Sequence, residues 1–81
     1  MNITFRFFAV SRDLAGCSQL SLEIASPANL EQALTILFDQ KPELRAIEKI
    51  SMYAIGLDYA TLSDIVTEGN EISLIPPVQG G

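Results

Sequence analysis

The chain has 81 residues, 48% of them hydrophobic, and its five basic and ten acidic side chains give a formal net charge of -5. That length builds one small domain with a thin core. The absence of histidine and the single cysteine, Cys17, exclude Ser-His-Asp and Cys-His catalysis, imidazole metal ligation, CxxC sites and an internal disulfide. No stretch approaches the ~18 consecutive apolar residues of a membrane span. The N-terminus lacks the pattern of a secretion signal, so we expect a cytoplasmic protein without a membrane partner.

The first 24 residues predict a β-hairpin with a long connection. Residues 3–8 alternate with the period of a half-buried strand, except that Phe8 is apolar at a polar position. Ser11 to Gly16 predicts one helical turn, with Ser11 as its N-cap and Gly16 as its end. Residues 20–24 alternate again, which predicts a second strand antiparallel to the first.

A helix is predicted next. Asn29 and Gln32 have the spacing of a capping box, and apolar residues recur at helical spacing as far as Phe38. Lys41-Pro42 then ends the helix. Residues 42–49 predict a second, short helical turn that leads back to the sheet.

The rest of the chain predicts three strands. Residues 51–57 form an apolar strand with Gly56 as a bulge or close-approach point, Asp58 is a turn former, and residues 59–62 add a short edge strand. After a turn, residues 71–75 alternate until Ile75, which is apolar where a polar residue is expected. We therefore predict an α+β domain over residues 1–75, with a helix across one face of a small sheet of four to five strands.

The sequence ends on a distinctive tail, Pro76-Pro77-Val78-Gln79-Gly80-Gly81. The two prolines lack the backbone N–H groups that would donate hydrogen bonds to a neighbouring strand, so the chain leaves the sheet there. Residues 76–81 are therefore predicted to be flexible. Because glycine has no Cβ, Gly80-Gly81 fits a slot too narrow for side chains and presents a carboxylate there. Two terminal glycines also occur by chance in about 0.5% of chains. On this pattern alone, a C-terminus without a function therefore remains an alternative.

Charge and exposed apolar residues indicate a protein partner. All basic residues precede Ile50, whereas the acids after it are Asp58, Asp64, Glu68 and Glu71. This distribution argues against nucleic acid and favours basic protein surfaces, although an acidic face kept for solubility explains it equally well. Phe8 and Ile75 form a patch at the root of the tail if the first and last strands are neighbours. A binding role and a packing role for the Tyr59 ring are equally compatible with the sequence. For Cys17 a packing role is favoured over that of a reactive thiol.

A terminal carboxylate must be activated before it reacts, because its charge repels nucleophiles and oxide is a poor leaving group. An acyl-adenylate supplies a leaving group. Attack by sulfide then gives a thiocarboxylate, and attack by an amine gives an amide bond to a target. The residues alone leave both outcomes open.

Several segments carry a resemblance to a known family. They are Phe7-Phe8-Ala9 with Arg12-Asp13-Leu14-Ala15-Gly16, the helix from Asn29 to Phe38, Glu68-Gly69-Asn70-Glu71-Ile72, and above all Pro76-Pro77-Val78-Gln79-Gly80-Gly81. Over its whole length the chain resembles the small subunits of molybdopterin synthase, which are ubiquitin-like sulfur carriers of the β-grasp fold. It departs from many relatives at Gly56, where they have asparagine, and at Leu74-Ile75, where an aromatic pair precedes the prolines. The aliphatic pair implies a partner pocket shaped for aliphatic side chains.

The resemblance implies a function. An adenylating enzyme related to ubiquitin activators uses ATP to charge Gly81, and a sulfur donor enzyme converts it to a thiocarboxylate, a C-terminal 1-thioglycine. The tail then enters the large subunit, in a heterotetramer with two copies of each chain, and sulfur passes to a cyclic pyranopterin precursor to build the dithiolene. Phe8, Tyr59 and Ile75 fall where the family places apolar partner contacts. The chain is expected to be no enzyme on its own and to bind no metal or cofactor. The alternatives are a sulfur carrier for another acceptor, such as a thiazole-forming enzyme, and a protein modifier.

Overall fold

The computed structural model describes residues 1–77 and contains seven strands and three helices in that range. The strands are β1 Asn2–Phe7, β2 Gln19–Glu23, β3 Ala28–Asn29, β4 Met52–Ile55, β5 Asp58–Ala60, β6 Ile65–Val66 and β7 Glu71–Ile75. The helices are α1 Val10–Ala15, α2 Leu30–Gln40 and a 3-10 helix at Pro42–Ile47.

Five of the strands form one mixed sheet in the order β2-β1-β7-β4-β5. β1 runs antiparallel to β2 and parallel to β7, while β4 runs antiparallel to both β7 and β5. The first and last long strands are therefore neighbours at the centre of the sheet. This sheet and α2 confirm the predicted α+β architecture of β-grasp type.

The core lies between one face of the sheet and α2. Ile3, Phe5 and Phe7 alternate toward it and are at most 2% exposed. The apolar stripe of α2 belongs to the same buried cluster, with Leu30, Ala33, Leu34, Leu37 and Phe38. Removing this apolar surface from water is the main stabilising contribution. Within residues 1–77 the opposite face of the sheet carries no helix, and we call it the open face.

The predicted capping box of α2 is present. The Asn29 side chain accepts from the Gln32 backbone N–H at 2.9 Å, and the Gln32 side chain accepts from the Asn29 N–H at 2.8 Å. Two backbone donors that the helix leaves without intrahelical partners are thereby satisfied. The 3-10 helix confirms the second predicted helical segment, with Leu44 and Ile47 buried.

The structure corrects three local predictions. Ser11 is not an N-cap, because α1 begins at Val10 and Ser11 lies inside the helix and is fully buried. Asp58 is the first residue of β5, and Gly56 with Leu57 forms the turn before it. Gly56 has φ +62°, a conformation that both glycine and asparagine tolerate, so the asparagine that the resemblance implies for other family members is compatible with the same turn.

One element was not predicted at all. β3 and β6 form a two-residue antiparallel ladder beside the main sheet. The Leu30 N–H donates to the Asp64 carbonyl at 2.8 Å, and the Glu31 N–H donates to the Leu62 carbonyl at 3.0 Å. These bonds satisfy further donors of the first turn of α2 and fix the loop between β5 and β6 to the helix.

Candidate functional site

Phe8 and Ile75 lie side by side at the end of the sheet where the tail begins. Phe7 is opposite Leu74 in the parallel register of β1 and β7. The next residues are Phe8, directly after the end of β1, and Ile75, the last residue of β7, and both line one cavity. Both lie on the open face, because Phe7 and Leu74 point into the core. The patch of Phe8 and Ile75 was predicted on the condition that the first and last strands are neighbours. That condition is met, and the two side chains form one surface.

Tyr59 extends the same surface across two more strands. Tyr59 on β5 is opposite Ala54 on β4, and Ala54 is opposite Ser73 on β7. Cross-strand partners lie on one face of a sheet. Tyr59 is 70% exposed and Phe8 is 44% exposed.

These side chains surround a shallow cavity of about 290 Å³ that we call the apolar depression. It is lined by Phe8, Ala54, Gly56, Leu57, Tyr59, Ser73 and Ile75. The small side chains of Ala54 and Ser73 form its floor, since they lie within the sheet between larger neighbours. No charged residue lines it within the described part of the chain. An uncharged concave surface of this kind is typical of a protein contact site.

Sequence reasoning missed Ala54, Leu57 and Ser73 as lining residues. Ala54 and Ser73 are small and carry no interface signal of their own, although strand parity places them on the open face. Leu57 follows Gly56 in the turn, and its side chain is fully exposed. A leucine directly after Gly56 was the sequence signal at this rim.

Ser11 fixes the backbone at one side of the depression. Its Oγ accepts a hydrogen bond from the Phe8 N–H at 2.8 Å. The same hydroxyl donates to the Phe8 carbonyl at 2.8 Å and to the Leu74 carbonyl at 3.3 Å. A hydroxyl has one proton, so the two carbonyls share it. Between these residues Ala9 has φ +53°, a region that L residues rarely adopt. The hydroxyl thus joins the chain after β1 to the end of β7.

Most acids after Lys49 are bonded within the domain. Glu71 pairs with Arg6 at 3.2 Å, the Glu68 carboxylate accepts from the Asn2 N–H at 3.1 Å, and the Asp64 carboxylate accepts from the Thr61 N–H at 2.9 Å. Only Asp58 of these four has no ion pair or side-chain hydrogen bond within residues 1–77. Asp58 is opposite Ile55, which packs against the core, so its side chain lies on the face of the sheet away from the depression. The affinity for basic partners stays a prediction.

Other chemistry-bearing groups lie apart from this surface. Cys17 is half-buried against the core, with its Sγ 3.8 Å from the Ala15 carbonyl. The Tyr53 hydroxyl donates to the Glu48 carbonyl at 3.0 Å. Burial, reinforced by the Glu48 charge, raises the pKa of Tyr53 above its ordinary value of 10.0. Among residues 1–77 no three His, Cys, Asp or Glu side chains are grouped so as to hold a metal ion.

A larger groove of about 710 Å³ lies between α2 and the β4–β5 edge of the sheet. Its lining includes charged side chains, Glu31, Glu48 and Lys49, and excludes both Phe8 and Ile75. Tyr59 lines both the groove and the apolar depression, but the groove does not include the residues at the root of the tail. Within the described range, no helix combines the length and the apolar character needed to cross a membrane.

The tail itself is described only at its base. Pro76 is buried and Pro77 is exposed, so the packed part of the chain extends one residue beyond the predicted boundary at Ile75. Val78, Gln79, Gly80 and Gly81, which the sequence predicts to be inserted into a partner and to carry the chemistry at Gly81, lie outside the described residues.

Comparison with known proteins gives consistent matches over the whole chain. The model of the ThiS family matches residues 5–81. The molybdopterin synthase sulfur carrier subunit of Chlamydomonas reinhardtii is 30% identical, and the alignment covers all of both chains. Among solved structures, SAMP1 from Haloferax volcanii superposes with a TM-score of 0.90 at 22% identity, with all of both chains covered. A chain in the complex of subunits 1 and 2 of the molybdopterin-converting factor from Helicobacter pylori superposes with a TM-score of 0.73 at 23% identity, again with complete coverage. At these identities the solved structures establish the fold alone.

Proposed function

The chain belongs to the ThiS family, and from this membership we propose that it is the sulfur carrier subunit of a molybdopterin synthase. The observation that carries the proposal is its full-length similarity to a relative of that name. The small sheet, the apolar depression and the Gly80-Gly81 end supply the parts that such a carrier needs. The chain is not an enzyme on its own in this proposal, because the reacting group is its own carboxylate.

The chemistry is proposed to take place at Gly81 in two steps. In an adenylating enzyme the Gly81 carboxylate attacks the α-phosphate of ATP, so that a mixed anhydride with AMP forms and pyrophosphate leaves. Hydrosulfide that a donor enzyme supplies then attacks the Gly81 carbonyl carbon through its sulfur, AMP leaves with the electron pair of the C–O bond, and the sulfur loses its proton. The product is a thiocarboxylate. Because Gly81 has no Cβ, its carbonyl is open to both reactions.

The position of the depression explains how the charged tail is delivered. Phe8, Tyr59 and Ile75 are proposed to bind the large subunit, since they are partly exposed apolar side chains grouped at the base of the tail. The six residues after Ile75 span at most about 20 Å when fully extended. The active site of the large subunit is therefore expected within that distance of the docked Ile75. Pro77 to Gly81 enter it, and the sulfur passes to a cyclic pyranopterin precursor.

The assembly is proposed to contain two copies of each subunit and to work in the cytoplasm. A free, half-buried Cys17 is consistent with a reducing compartment. No resident cofactor is needed, because ATP is a substrate of the activating enzyme and the sulfur is carried covalently on Gly81.

Reconstitution tests this proposal. The thiocarboxylated chain is mixed with a large subunit and the cyclic pyranopterin precursor, and dithiolene product is measured, with the unmodified chain as control. We expect product only with the thiocarboxylate. Sulfur transfer to a thiazole-forming enzyme instead, or an amide bond between Gly81 and protein lysines, would contradict it.

A further inference from the structure

Ser11 is fully buried, although serine is mostly an exposed residue in proteins. It lies inside α1, where alanine has a higher helix propensity. Moving a hydroxyl out of water costs free energy unless protein hydrogen bonds replace those to water. The helix alone therefore does not account for a serine at this position. Its hydrogen-bond partners lie in β7 and in the segment directly after β1.

The Ser11 hydroxyl occupies the place of a ladder bond between β1 and β7. Earlier in this parallel ladder, the Thr4 N–H donates to the Asn70 carbonyl at 3.0 Å. Four residues further along both strands, the same geometry would join the Phe8 N–H directly to the Leu74 carbonyl. Instead the Phe8 N–H donates to the Ser11 Oγ at 2.8 Å, and the hydroxyl donates to the Leu74 carbonyl at 3.3 Å. The hydroxyl thus bridges the two strands where their direct pairing ends.

The chain directly after β1 has a backbone conformation that depends on such contacts. Ala9 has φ +53°, a region that L residues rarely adopt. A backbone of this kind persists only where the surrounding structure holds it, and it occurs most often at functional sites. Ser11 holds the residue before it, because the Phe8 carbonyl accepts from the Ser11 N–H at 3.1 Å and from its hydroxyl at 2.8 Å. One side chain therefore fixes both the turn after β1 and the end of β7.

The bridged carbonyl lies at the root of the tail. Ile75, the last residue of β7, is opposite Met52 and therefore pairs toward β4. Pro76 and Pro77 follow, and neither has an N–H to donate. Within the described part of the chain, the bond to Leu74 is thus the last hydrogen bond that holds β7 from the β1 side. The backbone from which the tail starts depends on the Ser11 hydroxyl for its position on that side.

We propose that Ser11 is a positioning residue for sulfur transfer, because its hydroxyl fixes the point from which the tail leaves the sheet. The inference rests on the function proposed above, since it concerns the delivery of Gly81 to the active site of the large subunit. Only a few residues separate Leu74 from Gly81, so a shift of the root has to be taken up by a short segment. A displacement of the reacting group by about 1 Å is enough to slow a reaction ~100-fold. Loss of the hydroxyl therefore slows the transfer step more than it weakens docking.

Three variants test this role. Ser11→Ala removes the hydroxyl and keeps a side chain that suits a helix, whereas Ser11→Thr keeps the hydroxyl. Asn29→Ala is the matched control, because Asn29 also accepts a hydrogen bond from a backbone N–H but lies in the β3–β6 ladder and lines neither cavity.

Each chain is thiocarboxylated and mixed with the cyclic pyranopterin precursor and saturating large subunit. The single-turnover rate of sulfur transfer and the dissociation constant of the complex are measured separately, so that chemistry and docking are distinguished. We expect Ser11→Ala to lower the rate at least ~10-fold and to change the dissociation constant less than ~3-fold. We expect the rate of Ser11→Thr to stay within ~3-fold of wild type and that of Asn29→Ala within ~2-fold.

The outcomes separate this inference from the proposed function. Equal transfer rates of folded Ser11→Ala and wild type overturn the inference alone, whereas a wild-type chain that transfers no sulfur overturns the proposed function with it. Equal losses in Ser11→Ala and Asn29→Ala would assign the effect to stability and overturn the inference. If Ser11→Ala does not fold, Ser11→Cys makes the same test, because its thiol is a weaker donor than a hydroxyl.

Hydrogen exchange of the free chain tests the bridge without any partner. We expect the Phe8 amide to exchange at least ~10-fold faster in Ser11→Ala than in wild type, because its acceptor is lost. The Gln32 amide, whose acceptor is Asn29, should keep its wild-type rate in Ser11→Ala and exchange faster in Asn29→Ala. An unchanged Phe8 amide in Ser11→Ala would overturn the inference, whatever the large subunit does.

Discussion

Replacing Phe8 by alanine measures how far the apolar depression contributes to binding. Phe8 leaves 44% of its surface exposed in the isolated domain and is not a member of the core cluster. A phenylalanine buries roughly 150–250 Å² in all, so about 90 Å² of Phe8 remains for a partner to cover. At ~25 cal/mol per Å², covering that area contributes about 2 kcal/mol, or about 30-fold in the dissociation constant.

Val10 provides a matched control for this substitution. It is 43% exposed, two residues further along the chain, but it does not line the depression. We expect Val10→Ala to change the affinity for the large subunit by less than ~2-fold. Both affinities are measured by calorimetry below the unfolding transition of each variant, so that lost stability does not lower the active fraction. Equal losses for Phe8→Ala and Val10→Ala would refute the assignment of Phe8 to the interface.

Three further predictions concern the domain alone, each measured by urea unfolding. Ser11→Ala leaves the partly buried Phe8 N–H without its acceptor and is expected to cost about 1–3 kcal/mol; an unchanged free energy of unfolding would contradict the role of this hydroxyl. Asn29→Ala removes the side-chain cap of α2 and is expected to cost about 1 kcal/mol, whereas Asn29→Ser restores most of it; equal stability of both variants would argue against the cap. The raised pKa of Tyr53 means that the folded state keeps its proton longer than the unfolded state. The contribution of Tyr53 to stability is complete below pH ~10 and is lost as pH rises through the folded pKa. We therefore expect the free energy of unfolding to fall above pH ~10 in the wild type and to fall less in Tyr53→Phe. Identical pH profiles of the two proteins would contradict this.

The main elements of the fold were predictable because burial imposes a period on the sequence. Ile3, Phe5 and Phe7 alternate since only one face of β1 meets the core, and the same pattern marks β7. Asn29 and Gln32 identified the start of α2 because both bonds of a capping box are local. Strand parity likewise predicted that Phe8 and Ile75 face away from the core.

The remaining features depend on contacts between distant parts of the chain. The β3–β6 ladder pairs Ala28 with Val66 over only two residues, which is too short to produce a period. Serine is a common N-cap residue, which is why the sequence predicted that role for Ser11. Its hydroxyl instead donates to the carbonyl of Leu74, 63 residues away in the chain.

Sulfur loading of Gly81 tests the central claim most directly. The wild-type chain and a variant without Gly81 are each incubated with ATP, the adenylating enzyme and a sulfur source, and their intact masses are compared. We predict that the wild type gains the mass difference between one sulfur and one oxygen atom and that the shortened variant, with an unchanged thermal midpoint, gains nothing. A wild-type chain that keeps its original mass with an active adenylating enzyme would contradict its role as a sulfur carrier.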